Sequence, residues 1–209
     1  MILCIDTITR HAGVTLVSGD RALSHRALPV FQASDGILGA IDEVLRDAGA
    51  KLADLTAVLA ITGPGSFTGL RVGIAVANAL AHQLGIPIVG LRTDEWYACA
   101  TDEKDYFYLQ SMNREEVYAV GQGRFAGAFA EPIVKFTSLS GEAAWLGELS
   151  EAYRSALPAG FQELSGLRDA GSTWTRAAEK FAVIGPSKKY DLLEPYYGKN
   201  PSITKRKTA

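Results

Sequence analysis

Residues 62–73, with the sequence TGPGSFTGLRVG, place four glycines and a proline between two long apolar runs. The run before it, Leu55–Ile61, predicts a buried strand, and the run after it, Leu70–Leu84, predicts a helix. So many glycines in so short a stretch indicate a backbone that turns tightly or is closely approached by other atoms. The chain therefore contains a strand, a glycine turn and a helix in direct succession, which is a unit typical of α/β proteins.

The glycine turn admits two interpretations. Free N–H groups at a helix start attract anions, which favours phosphate binding, whereas Ser66 and Thr68 could cap the same groups without any ligand. The glycine spacing does not match G-x-G-x-x-G, and no Lys-Ser or Lys-Thr pair follows, which excludes a Walker loop. Spacing alone leaves both interpretations open. The residues of interest in this turn are Gly63, Gly65, Ser66, Thr68, Gly69 and Arg71.

Length and composition indicate an ordinary globular protein. The 209 residues suffice for one large domain or two small ones. The net charge of −2 gives the chain no overall attraction to nucleic acid, so any RNA contact has to be local or made through a partner. Two cysteines without C-x-x-C spacing suggest buried thiols in a reducing compartment. Because neither a signal peptide nor a long apolar span appears, we expect a cytoplasmic protein.

The first hundred residues predict a familiar order of elements. Three antiparallel strands open the chain, and helix, strand, helix, strand and helix follow, an order that matches the ribonuclease-H-like fold. Asp6 ends the first strand, at the turn that serves as a phosphate loop in the actin and sugar-kinase superfamily. The favoured alternative is that the Asp6 carboxylate accepts hydrogen bonds from the local backbone N–H groups of the turn. The predicted strands are 1–5, 12–17, 21–28, 55–61 and 86–91, and the predicted helices are 35–48, 70–84 and 93–100.

A hydrophilic run at 101–105 predicts a boundary, and the hairpin that follows it, 106–112 and 117–120, resembles the opening of the chain. This weak similarity suggests that the chain consists of two lobes related by duplication. Beyond it we predict helices at 141–149 and 173–180, an ambiguous segment at 157–167, a strand at 181–184 and an extended, locally basic tail. The predicted division is a first lobe at 1–102, a smaller second lobe at 103–187 and a tail at 188–209.

A search for catalytic chemistry finds no convincing constellation. None of the three histidines forms the His-x-x-x-His pair that zinc sites use. Ser66 lacks the Gly-x-Ser-x-Gly context of a nucleophile elbow and is interpreted as a helix cap. No pair of carboxylates indicates general acid and base roles. We predict no catalytic residue and no metal ligand.

The helix predicted at 70–84 is apolar on nearly every side. Such a helix is usually buried on more than one face, so one face should pack on its own sheet and another on a second helix or another protein. An internal helix covered by helix 35–48 and the second lobe is the alternative. A partner patch of roughly 800 Å² would suffice for a specific interface.

The segment Thr62–Ile74 resembles the hallmark of the bacterial TsaB family, also called YeaZ. Four shorter pieces support this resemblance: Ile2–Thr7, Gly85–Gly90, Glu116–Tyr118 and Glu194–Tyr197. The likeness spans most of the first 120 residues and the tail, whereas residues 121–184 carry little family signal. The resemblance implies an α/β, two-lobed, ribonuclease-H-like fold of the actin and sugar-kinase superfamily with a reduced second lobe.

The resemblance also implies a role in forming N6-threonylcarbamoyladenosine at position 37 of ANN-decoding tRNAs. In that family TsaB is a non-catalytic, pseudoenzyme-like partner of the TsaD transferase, and the TsaE ATPase joins the pair. We therefore expect no cofactor on this chain alone, ATP or ADP and metal on the partner subunits, and contact with tRNA only through the complex. No membrane association is expected.

The same family dimerises through two helices that correspond here to 35–48 and 70–84, so a heterodimer with a TsaD-like protein or a homodimer is expected through these helices. A charge at Ala77 is expected to abolish the complex and to leave the monomer folded. The predicted interface residues are Leu38, Asp42, Leu45, Gly73, Ala77 and Leu80.

Two other functions remain open from the sequence. The chain could be an ATP-binding enzyme or a peptidase of the same superfamily, with Asp6 and the glycine turn gripping phosphates. It could also be a self-sufficient homodimer with an unrelated binding role.

Overall fold

A computed structural model of the chain describes residues 1–29, 33–182 and 192–198. Within these ranges the chain forms ten strands and five α-helices. In chain order they are β1 (Ile2–Asp6), β2 (Gly13–Ser18), β3 (Arg21–Ala27), α1 (Ala33–Asp47), β4 (Ala57–Gly63), α2 (Phe67–Leu84), β5 (Ile88–Arg92), α3 (Thr93–Ala100), β6 (Tyr106–Ser111), β7 (Glu116–Gly121), β8 (Ile133–Lys135), β9 (Ala143–Glu148), α4 (Glu151–Ala156), β10 (Phe161–Glu163) and α5 (Ala170–Ala182).

The strands form two five-stranded sheets of the same topology. The first sheet has the order β3-β2-β1-β4-β5, and the second has β8-β7-β6-β9-β10 when read in the same direction. In each sheet three antiparallel strands are followed by two strands parallel to the first of them. The two-lobed ribonuclease-H-like fold is confirmed. The second lobe is reduced in its helices and in its three-residue strands β8 and β10, but it keeps all five strands.

Strand β1 is buried on both faces, which explains why its sequence is an unbroken apolar run. Leu3 and Ile5 point toward α1 and α2, and Cys4 between them points to the opposite side. The strand β4 alternates in the same way, with Val58 on one side and Leu59 on the other. The first sheet is therefore the central layer of its lobe, with helices on both faces.

The two lobes share one core. The inner face of the first sheet, with α3 and α5, packs on the inner face of the second sheet around a cluster of aromatic side chains. The buried aromatic residues of this interlobe core are Trp96, Tyr97, Tyr106, Tyr108, Tyr118 and Trp174. A separate core covers the outer face of the second sheet. Helix α5 follows the second sheet in sequence but packs on β2, β3 and α3 of the first lobe.

Two sequence predictions in the second half are wrong. The helix predicted at 141–149 is absent, and Ala143–Glu148 within it form strand β9. Its side chains alternate, since Trp145 enters the outer core and Leu146 the interlobe core, and an apolar run this short does not distinguish a strand from a buried helix. The strand predicted at 181–184 is wrong for Phe181, which continues α5, and residues 183–184 lie outside the described residues.

The other predicted helices and strands are present, with small shifts in their boundaries. Helix α2 begins three residues earlier than predicted, at Phe67, and ends as expected at Gly85. The ambiguous segment 157–167 contains the short strand β10. Residues 188–191 and 199–209 of the predicted tail lie outside the described residues. Among the described residues, no helix combines the length and the apolar character that crossing a membrane requires.

Candidate functional site

The opening turn between β1 and β2 uses its N–H groups internally. Ile8 and Thr9 donate their backbone N–H groups to Oδ1 of Asp6, at 2.9 and 3.0 Å, and the Thr9 hydroxyl donates to Oδ2 of the same carboxylate. The next N–H groups donate as well: Arg10 to Glu148 Oε1 at 2.9 Å, His11 to the Thr9 hydroxyl at 3.0 Å and Ala12 to the Thr9 carbonyl at 3.0 Å. Five successive donors are therefore satisfied by the chain itself, and the interpretation of Asp6 as a turn carboxylate is confirmed.

One fully buried and one partly buried carboxyl group flank this turn. Asp6 is fully buried, and its burial raises its pKa, while the hydrogen bonds from Thr9 and Ile8 act in the opposite direction. Burial also raises the pKa of Glu148, with the nearby Asp6 carboxylate adding to the effect. Since a phosphate needs free N–H groups and positive charge, this arrangement disfavours an anion at the turn.

The glycine turn packs against the opening turn. The Thr7 hydroxyl donates to the Gly69 carbonyl oxygen at 2.8 Å. A Cβ atom at Gly69 would lie 2.3 Å from the Thr7 carbonyl oxygen, and one at Gly73 would lie 2.3 Å from Thr7 Oγ1. These two glycines therefore allow the first turns of α2 to lie directly on the end of β1.

The other residues of the glycine turn also contact the chain itself. Ser66 is the N-cap of α2 and accepts a hydrogen bond from Gly69 N at 3.4 Å, as predicted. Gly65 lies against the side chain of Ile8. Thr68 is exposed in the first turn of the helix and is not its N-cap. The turn therefore has a structural explanation that needs no ligand.

At the start of α2 a cluster of side chains reaches the surface. The guanidinium of Arg71 lies 3.9 Å from the ring centroid of Phe67, which is 55% exposed. The ring of Phe67 stacks on that of Tyr197, at 5.5 Å between centroids. Arg71 is therefore bound to an aromatic pair, and Gly63, at the other end of the turn, lies against Tyr196.

The six predicted interface residues divide into two groups. Leu38 (64% exposed) and Asp42 lie on the outer face of α1, and Leu80 of α2 is partly exposed. The other three, Leu45, Gly73 and Ala77, are buried within the chain. Ala77 has 0% exposure, so a charge there enters the core of the first lobe, and the predicted Ala77→Glu test does not isolate partner binding.

The outer face of the helix pair is small and largely apolar. Helix α2 exposes Ala75 and Ala79, with Val72 and Val76 partly exposed beside them, and α1 exposes Leu38 nearby. Helices α1 and α2 are in contact, and these side chains lie on the exposed outer face of that helix pair. We call it the α1–α2 face. Small residues allow another helix to approach within about 8 Å.

The search for metal and nucleophile chemistry in the described residues adds no site. Within 1–29, 33–182 and 192–198 no group of three or more His, Cys, Asp and Glu side chains could hold a metal ion. The side chain of His25, on the edge strand β3, makes a 2.9 Å contact with the hydroxyl of Thr15 on β2. Both cysteines are buried and free, as predicted, and burial raises their pKa, which makes them poor nucleophiles.

Sequence reasoning missed the contacts between distant segments. Glu148 lies in the segment that we assigned to a helix, and nothing local links it to Tyr97, whose hydroxyl donates to its Oε1. The sequence marks Thr7 only as the last residue of the family-like piece Ile2–Thr7. The only signal in the sequence is indirect. Glycines at positions 69 and 73, four residues apart on one face of the predicted helix, imply that another part of the chain packs closely against that face.

The chain is similar to known proteins over most of its length. A family model described as "TsaD: tRNA N6-adenosine threonylcarbamoyltransferase" matches residues 32–173. The tRNA threonylcarbamoyladenosine biosynthesis protein TsaB of Escherichia coli is 36% identical over 92 residues, which cover 44% of this chain and 40% of that protein. TsaB of Bacillus subtilis is 28% identical over 160 residues, which cover 75% of this chain and 69% of that protein.

The matched segments span about half the length of several of the curated relatives. Among solved structures, YeaZ from Pseudomonas aeruginosa superposes with a TM-score of 0.72 at 21% identity and covers 93% of this chain and 98% of that one. At that identity the superposition shows a common fold.

Proposed function

Since the chain belongs to the TsaB/YeaZ family, we propose that it is a non-catalytic subunit in the formation of N6-threonylcarbamoyladenosine at position 37 of ANN-decoding tRNAs. In this role it binds the TsaD-like transferase and activates it. The reaction itself takes place on the partner.

The observation that carries the proposal is the α1–α2 face. Leu38 is 64% exposed, and Ala75 and Ala79 present no polar side chain to water on the neighbouring helix. Exposed apolar surface of this kind commonly marks a protein interface. The alanines favour a helix as the partner element, because their small side chains permit close helix packing.

Activation follows from differential binding. A subunit that binds one conformer of the transferase better than the others shifts the transferase toward that conformer. The α1–α2 face suits this task, since α2 is fixed on β1 by the contacts of Gly69 and Gly73 with Thr7. We further propose that ATP or ADP and metal bind on partner subunits, among them a TsaE-like ATPase, and that tRNA is contacted through the complex.

The same face could pair two copies of this chain. A homodimer through α1 and α2 would compete with the transferase for one surface. Measuring the mass of the chain with and without the transferase separates the two assemblies, since the proposal requires the heterodimer to form at the expense of any homodimer.

The alternative function, an enzyme that binds phosphates at its opening turn, is less well supported. The five N–H groups from Ile8 to Ala12 are already satisfied, and the buried carboxyls of Asp6 and Glu148 lie beside them. A titration of the isolated chain with ATP tests this alternative. Binding with micromolar affinity in the absence of partners would favour the enzyme.

The decisive experiment is binding of the purified transferase to the double variant Ala75→Glu, Ala79→Glu. Both positions are exposed, so the variant should fold with unchanged circular dichroism and melting temperature, while two charges on the face should weaken transferase binding by about tenfold or more. The matched control is Ala152→Glu, on an exposed position of helix α4 in the second lobe, which should bind normally. Unchanged affinity of the double variant would remove the α1–α2 face from the proposal.

A further inference from the structure

We propose that the first lobe carries a peptide-binding groove between α2 and the ends of β4 and β5, and that its ligand is the chain's own segment Leu192–Gly198, called the strap below. This groove lies on a different flank of α2 from the α1–α2 face. The inference does not depend on the proposed function, since it concerns contacts within one chain.

The groove recognises the backbone of the strap. The side-chain amide of Asn78 donates to the Leu193 carbonyl oxygen at 3.0 Å, and its Oδ1 accepts from the Leu193 N–H at 2.9 Å. Three residues further along, Tyr196 donates its N–H to the Thr62 carbonyl oxygen at the end of β4, at 2.7 Å. Paired donors and acceptors directed at main-chain groups are how proteins bind extended peptides.

Two glycines make room for the strap. A Cβ atom at Gly63 would lie 2.2 Å from the Tyr196 carbonyl oxygen, and a Cβ atom at Gly90 would lie 2.9 Å from Leu193 Cδ2. A side chain at Gly63 would therefore collide with the backbone of the strap, and a side chain at Gly90 would crowd both Thr62 and the end of the Leu193 side chain. Leu193 packs on the core between the first sheet and its helices, and Tyr196 packs on the interlobe core. The groove has both a polar and an apolar component.

The far end of the strap reaches the second lobe. The ring of Tyr196 meets that of Tyr118 on β7 edge to face, with 6.2 Å between centroids, and Gly198 lies beside Ile133 on β8. The hydroxyl of Tyr197 accepts a hydrogen bond from Arg71 Nε at 3.3 Å. Because the strap touches both lobes, its binding stabilises their arrangement.

These contacts define the ligand. It is a short extended peptide with the sequence L-L-E-P-Y-Y-G, residues 192–198. Its contacting side chains are those of Leu193, Tyr196 and Tyr197. As part of the same chain, the peptide is present at high effective concentration, so even weak intrinsic affinity keeps the groove filled. The same peptide supplied as a separate molecule should compete for the groove.

The test begins with the intact, folded chain. A protease recognition sequence is placed within residues 185–190, the folded protein is cleaved there, and retention of the fragment that carries the strap is followed by gel filtration and native mass spectrometry. We expect the fragment to stay bound and a synthetic 192–198 peptide to displace it. Asn78→Ala should weaken retention by about tenfold, since both hydrogen bonds to Leu193 are lost. Gln83→Ala, an exposed position on the same helix, is the matched control and should retain the fragment as the unsubstituted chain does.

Equal loss of the fragment from the unsubstituted chain and from Asn78→Ala would overturn the proposal. Hydrogen exchange on the uncut protein gives a second readout if a variant does not fold. The amides of Leu193 and Tyr196 should be protected, and free exchange at both would also overturn it. No partner protein takes part in either measurement, so failure here is distinguishable from failure of the proposed function.

Discussion

The hydroxyl of Tyr97 donates a hydrogen bond to Oε1 of Glu148, and this bond joins α3 of the first lobe to β9 of the second. The same oxygen accepts the N–H of Arg10 in the opening turn. One carboxyl oxygen thus connects three segments that are far apart in sequence. The superfamily resemblance places a phosphate loop at this turn, and here the N–H groups of the turn donate to side-chain and backbone acceptors of the chain itself.

The first prediction concerns pH and Glu148. Burial raises the pKa of this carboxyl above its ordinary value of 4.5 in the folded state. Its contribution to the free energy of unfolding is therefore fully present below pH 4.5 and is lost as the pH rises through the raised pKa. Glu148→Gln keeps an acceptor for Tyr97 and removes the ionisation, so the unsubstituted chain should lose stability relative to the variant as the pH rises above 4.5. Urea denaturation of both proteins at a series of pH values above 4.5 measures the difference in their free energies of unfolding. The titration of all other groups cancels in this difference. A difference that does not change with pH would contradict the prediction.

The second prediction concerns close packing at Gly69. Replacing glycine by alanine inside a helix normally stabilises a protein by about 0.5–1 kcal/mol. At Gly69 the new Cβ would meet the Thr7 carbonyl oxygen at 2.3 Å, so Gly69→Ala should instead lower the free energy of unfolding by about 1–3 kcal/mol. Gly39 in α1 is the control, since nothing lies within 4 Å of a Cβ there, and Gly39→Ala should be stabilising. Denaturant unfolding of the two variants should give effects of opposite sign.

The third prediction separates the two sides of α2. Ala77 has no exposed surface, so Ala77→Glu should destabilise the chain by about 3 kcal/mol or more, because the carboxylate is buried without a partner. Ala79→Glu, two residues away on the outer face, should change stability by less than about 0.5 kcal/mol. Thermal and urea unfolding report both changes. A stable, folded Ala77→Glu protein would mean that the side of α2 assigned to the core is wrong.

The fourth prediction concerns Asp94, a nearly fully buried carboxylate in the first turn of α3. It accepts the Tyr118 hydroxyl at 3.0 Å and pairs with both Nε and Nη2 of Arg92. Tyr118→Phe removes one of these donors and should lower the free energy of unfolding by about 1–2 kcal/mol. A double-mutant cycle with Asp94→Asn should show coupling between the two residues, whereas strictly additive effects would mean that the hydrogen bond contributes little.

Local patterns were sufficient to predict the first lobe. The Ser66 cap, the end of the helix at Leu84 and the apolar run of strand β4 all depend on neighbours in sequence, and the structure confirms each of them. The strand β9 was missed because a short apolar run with both faces buried has no periodicity of its own. Its pairing with β6, more than thirty residues earlier, and with β10, which follows it, makes it a strand.

The candidate face was harder to predict in detail. Helix α2 is apolar on nearly every side, so its sequence does not distinguish the buried Ala77 from the exposed Ala75 and Ala79. What fixes its orientation is the contact of Gly69 and Gly73 with Thr7, which joins segments about sixty residues apart. The contacts of the strap are equally non-local, and their residues gave no more than a weak family likeness before the structure was known.

Both halves of the chain contribute to the aromatic layer between the sheets. Neither half on its own can shield that layer from water, so a chain divided after Asp102 should yield two insoluble fragments. Refolding the two fragments together should restore the solubility of both. Heating should likewise unfold both sheets in a single transition, because unfolding of either sheet exposes the interlobe core of the other to water.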